Sequence, residues 1–285
     1  MNEATCFEKG KVKLYLQDAV DGMRALPDQS FDVAIVDPPY GASTKANWKL
    51  EKNHSLPGFG GAWKLADHAW DLLMGLNGFE FTLAWVAELK RLVRPTGSLW
   101  IHSTYHNSGI VNVACQMLGL EIINEVVWFK RNAFPNLSAR RLTASHETIL
   151  WVHTGKGKRE YLFNYDKVKQ ARFPEDCLKQ PCKQLRTVWD IPNNKAREEL
   201  QFGSHPTQKP LRLAERLLMI STLTGWNLLV PFAGSGTEIL AGMNYGLRVT
   251  SFEIDQAYFD LACKRINHES SRKSNAQLNF ADATS

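Results

Sequence analysis

No apolar run in this chain is long enough to span a membrane. The longest uncharged stretch, Gly97 to Leu120, is interrupted by Ser98, His102, Ser103, Thr104, His106, Asn107, Ser108, Asn112 and Gln116, far too polar for a lipid-embedded helix of about 20 residues. The opening MNEATCFEKGKVK lacks the apolar centre of a secretory signal, so the reading is a cytosolic protein without a membrane partner. Cysteine is sparse: Cys6, Cys115, Cys177, Cys182 and Cys263 are odd in number and irregularly placed, which argues against a disulfide framework. No second Cys/His pair follows Cys177 and Cys182 at zinc spacing, so no metal is expected. GxxxxGK followed by Ser or Thr is absent, which argues against a phosphate-loop nucleotide enzyme, and there is no internal repeat or low-complexity tract.

What is present is the composition of a globular protein: 285 residues, 44% hydrophobic and 22% charged. The net charge of +5 is small, but it is unevenly distributed. Lys130 to Arg172 holds ten basic residues against three acidic ones, which leaves the rest of the chain slightly acidic. Such a local basic surface suits a polyanion.

Apolar runs ending in turn residues alternate with helical periodicity, the pattern of a mostly parallel α/β sheet. Strands are predicted at Val12–Leu16, Phe31–Val36, Ser98–His102, Ile122–Phe129, Thr148–Val152, Leu228–Phe232 and Arg248–Phe252. Helices are predicted at Phe81–Leu92, Asn107–Leu118, Leu211–Leu223, Thr237–Tyr245 and Ala257–Asn267. Two segments depart from this alternation. Residues 41–78, centred on Pro57-Gly58-Phe59-Gly60-Gly61, read as a long mobile loop beside the end of the Phe31–Val36 strand, and residues 156–204, rich in Lys, Arg, Gln, Pro and Asn, read as an insertion carrying recognition rather than core.

Three motifs carry chemistry. The Phe31–Val36 strand runs into Asp37-Pro38-Pro39-Tyr40, at the strand end where open parallel sheets bind ligands. For a planar ring bearing an amino group, Asp37 and the Pro38 carbonyl accept the two amino hydrogens, the prolines hold the acceptors rigidly, and Tyr40 offers a stacking face. Leu228 to Glu238 is a buried strand, a glycine turn and a helix start, with Glu253 at the end of the next strand placed for a ribose diol. The third glycine of GxGxxG falls at Ile239, so an adenosine cofactor without pyrophosphate is favoured. The third motif is Ser204-His205-Pro206-Thr207-Gln208-Lys209-Pro210, ahead of a helix.

In this order the motifs resemble the β class of S-adenosylmethionine-dependent DNA amino-methyltransferases. The likeness covers nearly the whole chain, including Leu14 to Asp18, Trp70-Asp71, His146 to Leu150 and Val188 to Pro192. A segment like Pro135-Asn136-Leu137-Ser138 marks the members from restriction-modification systems. The resemblance implies a single Rossmann-like α/β domain with permuted motif order. Residues 1–155 would form the catalytic half, 156–204 a basic target-recognition insertion, and 205–285 the half that binds S-adenosyl-L-methionine.

It also implies roles. Asp37, Pro38, Pro39 and Tyr40 would be catalytic. Asp18 would contact the cofactor's adenine; His205, Pro206, Thr207, Gln208 and Lys209 would embrace its methionine end; Phe232, Ala233, Gly234, Ser235 and Gly236 would line its pocket; Glu253 would bind its ribose; and Asp37 would also be a cofactor-binding residue. Lys130, Arg131, Arg140 and Arg141 would contact DNA, double-stranded DNA being the expected partner and single-stranded DNA the alternative. A nucleoid-associated homodimer is expected.

The sequence departs from that family at Val230, Glu238 and Ser251, where Asp, Thr and Gly are usual. The reaction expected is methyl transfer to N6 of a flipped-out adenine. The alternatives are N4 methylation of cytosine, and a DNA-binding protein with impaired cofactor binding on account of Val230. Cys182 invites comparison with a C5 nucleophile, but it stands in the irregular insertion and reads as an incidental thiol.

Overall fold

The computed structural model describes residues 5–40, 76–135, 140–155, 160–193, 195–203 and 205–282, with side chains described from 78 and up to 273 at the two helix ends concerned. Their strands are β1 (Thr5–Lys9), β2 (Val12–Leu16), β3 (Phe31–Val36), β4 (Val93–Ser103), β5 (Glu121–Phe129), β6 (His146–His153), β7 (Val188–Asp190), β8 (Asn227–Val230) and β9 (Arg248–Glu253). The helices are α1 (Ala19–Arg24), α2 (Leu76–Leu92), α3 (Ser108–Met117), α4 (Tyr165–Gln170), α5 (Leu211–Ser221), α6 (Thr237–Asn244) and α7 (Gln256–Asp282).

All nine strands join one sheet in the order β1-β2-β9-β8-β3-β4-β6-β5-β7. The run β2-β9-β8-β3-β4 is parallel throughout, and β1, β6 and β5 add antiparallel pairings towards the edges. In β3 every residue is buried, because helices cover both faces. Val33 and Ile35 point to the side packed by α5, α6 and α7, while Ala34 and Val36 point to the side packed by α1, α2 and α3. Stacked Trp100 and Trp151, with centroids 4.8 Å apart, fill the first face near β7. Their indole N–H groups donate to Ser221 (2.8 Å) and Ser98 (3.1 Å), so both indoles are satisfied.

Several expected boundaries move. The strand predicted at Leu228–Phe232 ends at Val230, since Pro231 has no N–H to continue the ladder. Residues 76–78, expected in the long loop, already belong to α2, and the rest of that loop, 41–75, lies outside the described residues, as do 136–138. Segment 156–204 is not free of core. It supplies β7, which pairs with β5, and buries Val168, Trp189 and Ile191. Buried Asp176 pairs with Arg216 of α5 at 2.7 Å, and the Arg216 guanidinium lies 3.9 Å over the Phe173 ring. Among the described residues no helix is long and apolar enough to cross a membrane.

The sheet order brings the carboxyl ends of β2, β9, β8 and β3 side by side. From β3 the chain proceeds through α2 on one face, and from β8 through α6 on the other. The β8/β3 border is therefore a topological switch point, where a crevice opens.

Candidate active site

A cavity of about 370 Å³ opens at that border, a size that suits a small-molecule cofactor. It gathers residues from widely separated stretches of sequence. After β3 come Asp37, Pro38, Pro39 and Tyr40; after β8, Phe232, Ala233, Gly234 and Ser235; after β9, Glu253; and after β2, Asp18. His205, Thr207, Gln208 and Lys209 come from the stretch leading into α5. Of the residues expected at the cofactor, Pro206 and Gly236 are not on the wall. Pro206 is exposed. Gly236 is the N-cap of α6 at φ 80°, and a Cβ there would meet that of Ala262 at 3.1 Å.

The β3 end holds a buried ionic cluster. The Lys209 ammonium, 3% exposed, donates to both Asp37 carboxylate oxygens at 3.0 Å and to the Tyr40 hydroxyl at 2.8 Å. The Tyr40 hydroxyl in turn donates to Asp37, and the ammonium lies 4.9 Å over the Tyr40 ring. Glu147, at the start of β6, approaches Lys209 at 3.5 Å and accepts from Lys130 at 2.8 Å. Burial opposes the Lys209 charge, but Asp37 and Glu147 outweigh it and hold its pKa above the ordinary lysine value. Burial likewise opposes the Glu147 charge, and Lys209 and Lys130 outweigh that, bringing the carboxyl down to about 2. Burial also drives the Tyr40 hydroxyl well above its usual range, with the Asp37 charge adding to the effect. It stays a donor.

Other wall residues also hold the protein together. Asp18 Oδ1 caps α1, accepting from Val20 and Asp21 N–H at 2.9 and 3.0 Å. Glu253 accepts from Gly234 N–H at 2.7 Å and Asp255 N–H at 2.9 Å, lacing the β9 end to the glycine turn and leaving acceptor capacity for a diol. Its pKa is raised by burial, against the lowering by those N–H groups. The His205 ring packs on Tyr258, centroids 4.2 Å apart.

Three groups were not singled out as site residues in the sequence. Glu147 falls in the His146–Leu150 stretch that carries the family resemblance, without a role of its own. His102, at the carboxyl end of β4, is fully buried, and neither ring nitrogen has a partner among the described residues. Burial pulls its pKa down to about 4, so it is neutral at pH 7. Glu238 was noticed only as a departure from a family pattern, yet its side chain is on the cavity wall.

The four basic residues expected at DNA are differently disposed. Lys130 is largely covered and paired with Glu147. Arg131 is committed to Asp190 at 2.8 Å and to the Glu175 carbonyl at 2.6 Å. Arg140 and Arg141 are exposed, and Arg141 donates to the Tyr105 hydroxyl at 3.0 Å. Cys182 is exposed and off the cavity wall. Among the described residues no group of three His, Cys, Asp or Glu side chains is arranged to hold a metal ion.

Comparison with known proteins shows the family. A family model described as DNA methylase, of N6 and N4 type, matches residues 31–264. The Type II methyltransferase M2.DpnII of Streptococcus pneumoniae is 32% identical over 265 residues, 92% of each chain. The crystal structure of M1.HpyAVI in complex with SAM superposes with a TM-score of 0.61 at 25% identity, covering 90% of this chain and 99% of that one. The cytosine-N4-specific PvuII DNA methyltransferase shares the fold, with a TM-score of 0.65 at 15% identity over 93% of each chain.

Proposed function

Since the chain belongs to the N6/N4 DNA methylase family and is a DNA methyltransferase, we propose that its acceptor is the N6 amino group of an adenine in DNA, flipped from the helix into the wall beside Asp37. The observation that carries this reading is the meeting of Asp37 and Tyr40 with the glycine turn across one cavity.

The cofactor is S-adenosyl-L-methionine, and the wall suits it. Gly234, on the wall, has φ of 50°, a conformation that brings bare backbone to the cavity just before α6. Glu253 and Asp18 would hold the adenosine end, and His205 to Lys209 the amino-acid end. When bound, the cofactor supplies a methyl group on a cationic sulfur.

The protein's own contribution is alignment. Asp37 and the Pro38 carbonyl accept the amino hydrogens and aim the nitrogen lone pair. Asp37 Oδ1 accepts from both Lys209 and Tyr40, whereas Oδ2 accepts from Lys209 alone and keeps a lone-pair site for the substrate. Lys209 balances the charge of Asp37, and neutral His102 adds no further cation. Tyr40 stacks the base.

Incubation with labelled cofactor and genomic DNA, followed by digestion to nucleosides, tests the reading. N6-methyladenine as the labelled product supports it, and N4-methylcytosine replaces it with the other amino-group reaction. Tyr40→Ala is expected to lose stacking of about 1–3 kcal/mol on the base, whereas Tyr40→Phe retains the ring. Equal damage by both, read as the loss of kcat/KM, would shift the role to the hydroxyl that bonds Asp37 and Lys209.

Double-stranded DNA is the proposed substrate, and the exposed Arg140 and Arg141 its phosphate contacts. Replacing both with Ala is expected to make the slope of log K against log salt shallower by up to about 1.8, each contact contributing about 0.9. Lys130→Ala is expected to leave the slope unchanged, because that charge is turned inward to Glu147. An unchanged slope in the double variant would make these arginines a solvated face. A homodimer located at the nucleoid belongs to the same proposal, and light scattering of the purified protein tests the dimer.

A further inference from the structure

We infer that Glu238 is the cofactor-ammonium residue of this protein: its carboxylate, in the first turn of α6, accepts hydrogen bonds from the amino group at the methionine end of S-adenosyl-L-methionine. This reading concerns the cofactor alone and does not depend on which base is methylated.

Val230 is fully buried in the core between β8 and the α5–α7 layer, and it is not on the cavity wall. Glu238 is on the wall and 4% exposed. Among the described residues, the charged side chains near Glu238 act on its carboxyl through charge and donate it no hydrogen bond.

The neighbouring cations are already engaged. Lys209 is bound by Asp37 and Tyr40. Arg265 of α7 donates to the Ser235 carbonyl and hydroxyl at 2.6 and 2.9 Å and to Thr237 at 3.2 Å. A buried carboxyl with no side-chain donor is costly, and a ligand that brings one relieves that cost. The cofactor carries two cationic groups, of which the sulfonium has no hydrogen to give and the ammonium has three.

Position along the cavity agrees. Asp18 and Glu253 mark the β2 and β9 end, taken for adenosine, and Glu238 with Asp37 and Lys209 marks the opposite end. The charged groups around Glu238 are Asp37 beyond β3, Lys209 before α5, Arg265 on α7, and Glu253 after β9, which Gly234 N–H occupies. Glu215 of α5 contacts α6 only at its far end, through Asn244. Burial, with the Asp37 charge adding to it, raises the Glu238 pKa to about 7. Below that pH the free protein holds a proton that an incoming ammonium displaces.

Calorimetric titration of the full chain tests this with two probes: S-adenosyl-L-homocysteine, which has the ammonium, and 5′-methylthioadenosine, which lacks the amino-acid end. Glu238→Gln is expected to weaken S-adenosyl-L-homocysteine about tenfold and leave 5′-methylthioadenosine within twofold. At pH 6.5, titration in buffers of different ionisation enthalpy is expected to show proton release on binding S-adenosyl-L-homocysteine to the native protein and none with Glu238→Gln. Glu238→Thr, the smaller residue usual in the family, should behave like Gln and serves if Gln does not fold. Equal weakening of both probes would make Glu238 a structural residue of the cavity. Unchanged affinity for both, or proton release that persists in the variants, would place the ammonium elsewhere.

Discussion

Asp37→Ala is expected to reduce methyl transfer by at least roughly 10²–10³-fold, the scale on which removing one aligned hydrogen-bonding group acts in an active site. The loss should fall on kcat rather than on cofactor affinity, because Asp37 is the side-chain acceptor aimed at the substrate amino group while the adenosine end of the cavity is built from other strands. The substitution also removes both short contacts of the buried Lys209 ammonium, at 3.0 Å each, leaving it Glu147 at 3.5 Å and the Tyr40 hydroxyl. Stripping the partner from a buried charge is destabilising by about 3–5 kcal/mol where nothing compensates, and Glu147 limits that cost here. Asp37→Asn keeps the shape and one acceptor but not the charge that pairs with Lys209. Comparing single-turnover rate, cofactor affinity and melting temperature for both variants separates chemistry from folding. Near-normal turnover by Asp37→Ala would remove Asp37 from the reaction.

Val230→Asp is expected to be the most damaging change to stability. Val230 is fully buried, its carbonyl is taken by the Ser251 hydroxyl at 2.7 Å, and its side chain faces the apolar layer of α5, α6 and α7. Pro231 and Phe232, the next two residues, are on the cavity wall and Val230 is not. An acid introduced there meets no donor. It would lower stability by several kcal/mol and the melting temperature by on the order of 10 °C for a chain of this length, with cofactor binding unchanged or weaker. Tighter binding with an unchanged melt would show instead that the new carboxylate reaches the cofactor, and that the family's usual acid had left a vacancy which the fold preserved. Family habit alone would favour that second outcome, whereas the packing of Val230 favours the first.

The sequence by itself determined the elements whose signal is local. Apolar runs of strand length with a turn residue after them marked β3, β8 and β9, and the chemistry of Asp37 to Tyr40 and Gly234 to Gly236 was legible because each motif sits at such a run's end. Short or edge elements were not visible in the same way. β1, with no buried residue in its five, has no apolar pattern to read, and β7 is three residues long within a polar stretch. Ion pairing was decided only in three dimensions. Lys130 and Lys209 are separated by 79 positions, yet both meet Glu147, because β6 runs antiparallel to both β4 and β5 and returns its first residues to the end of the sheet where β3 stops. A count of basic residues could not distinguish Lys130, turned inward, from Arg140, turned outward. The same holds for Val230 and Glu238: sequence showed that an acid was missing at one position and gained at another, and only the packing of β8 against α6 showed which of the two faces the cavity, since side-chain direction depends on the neighbour each face must cover.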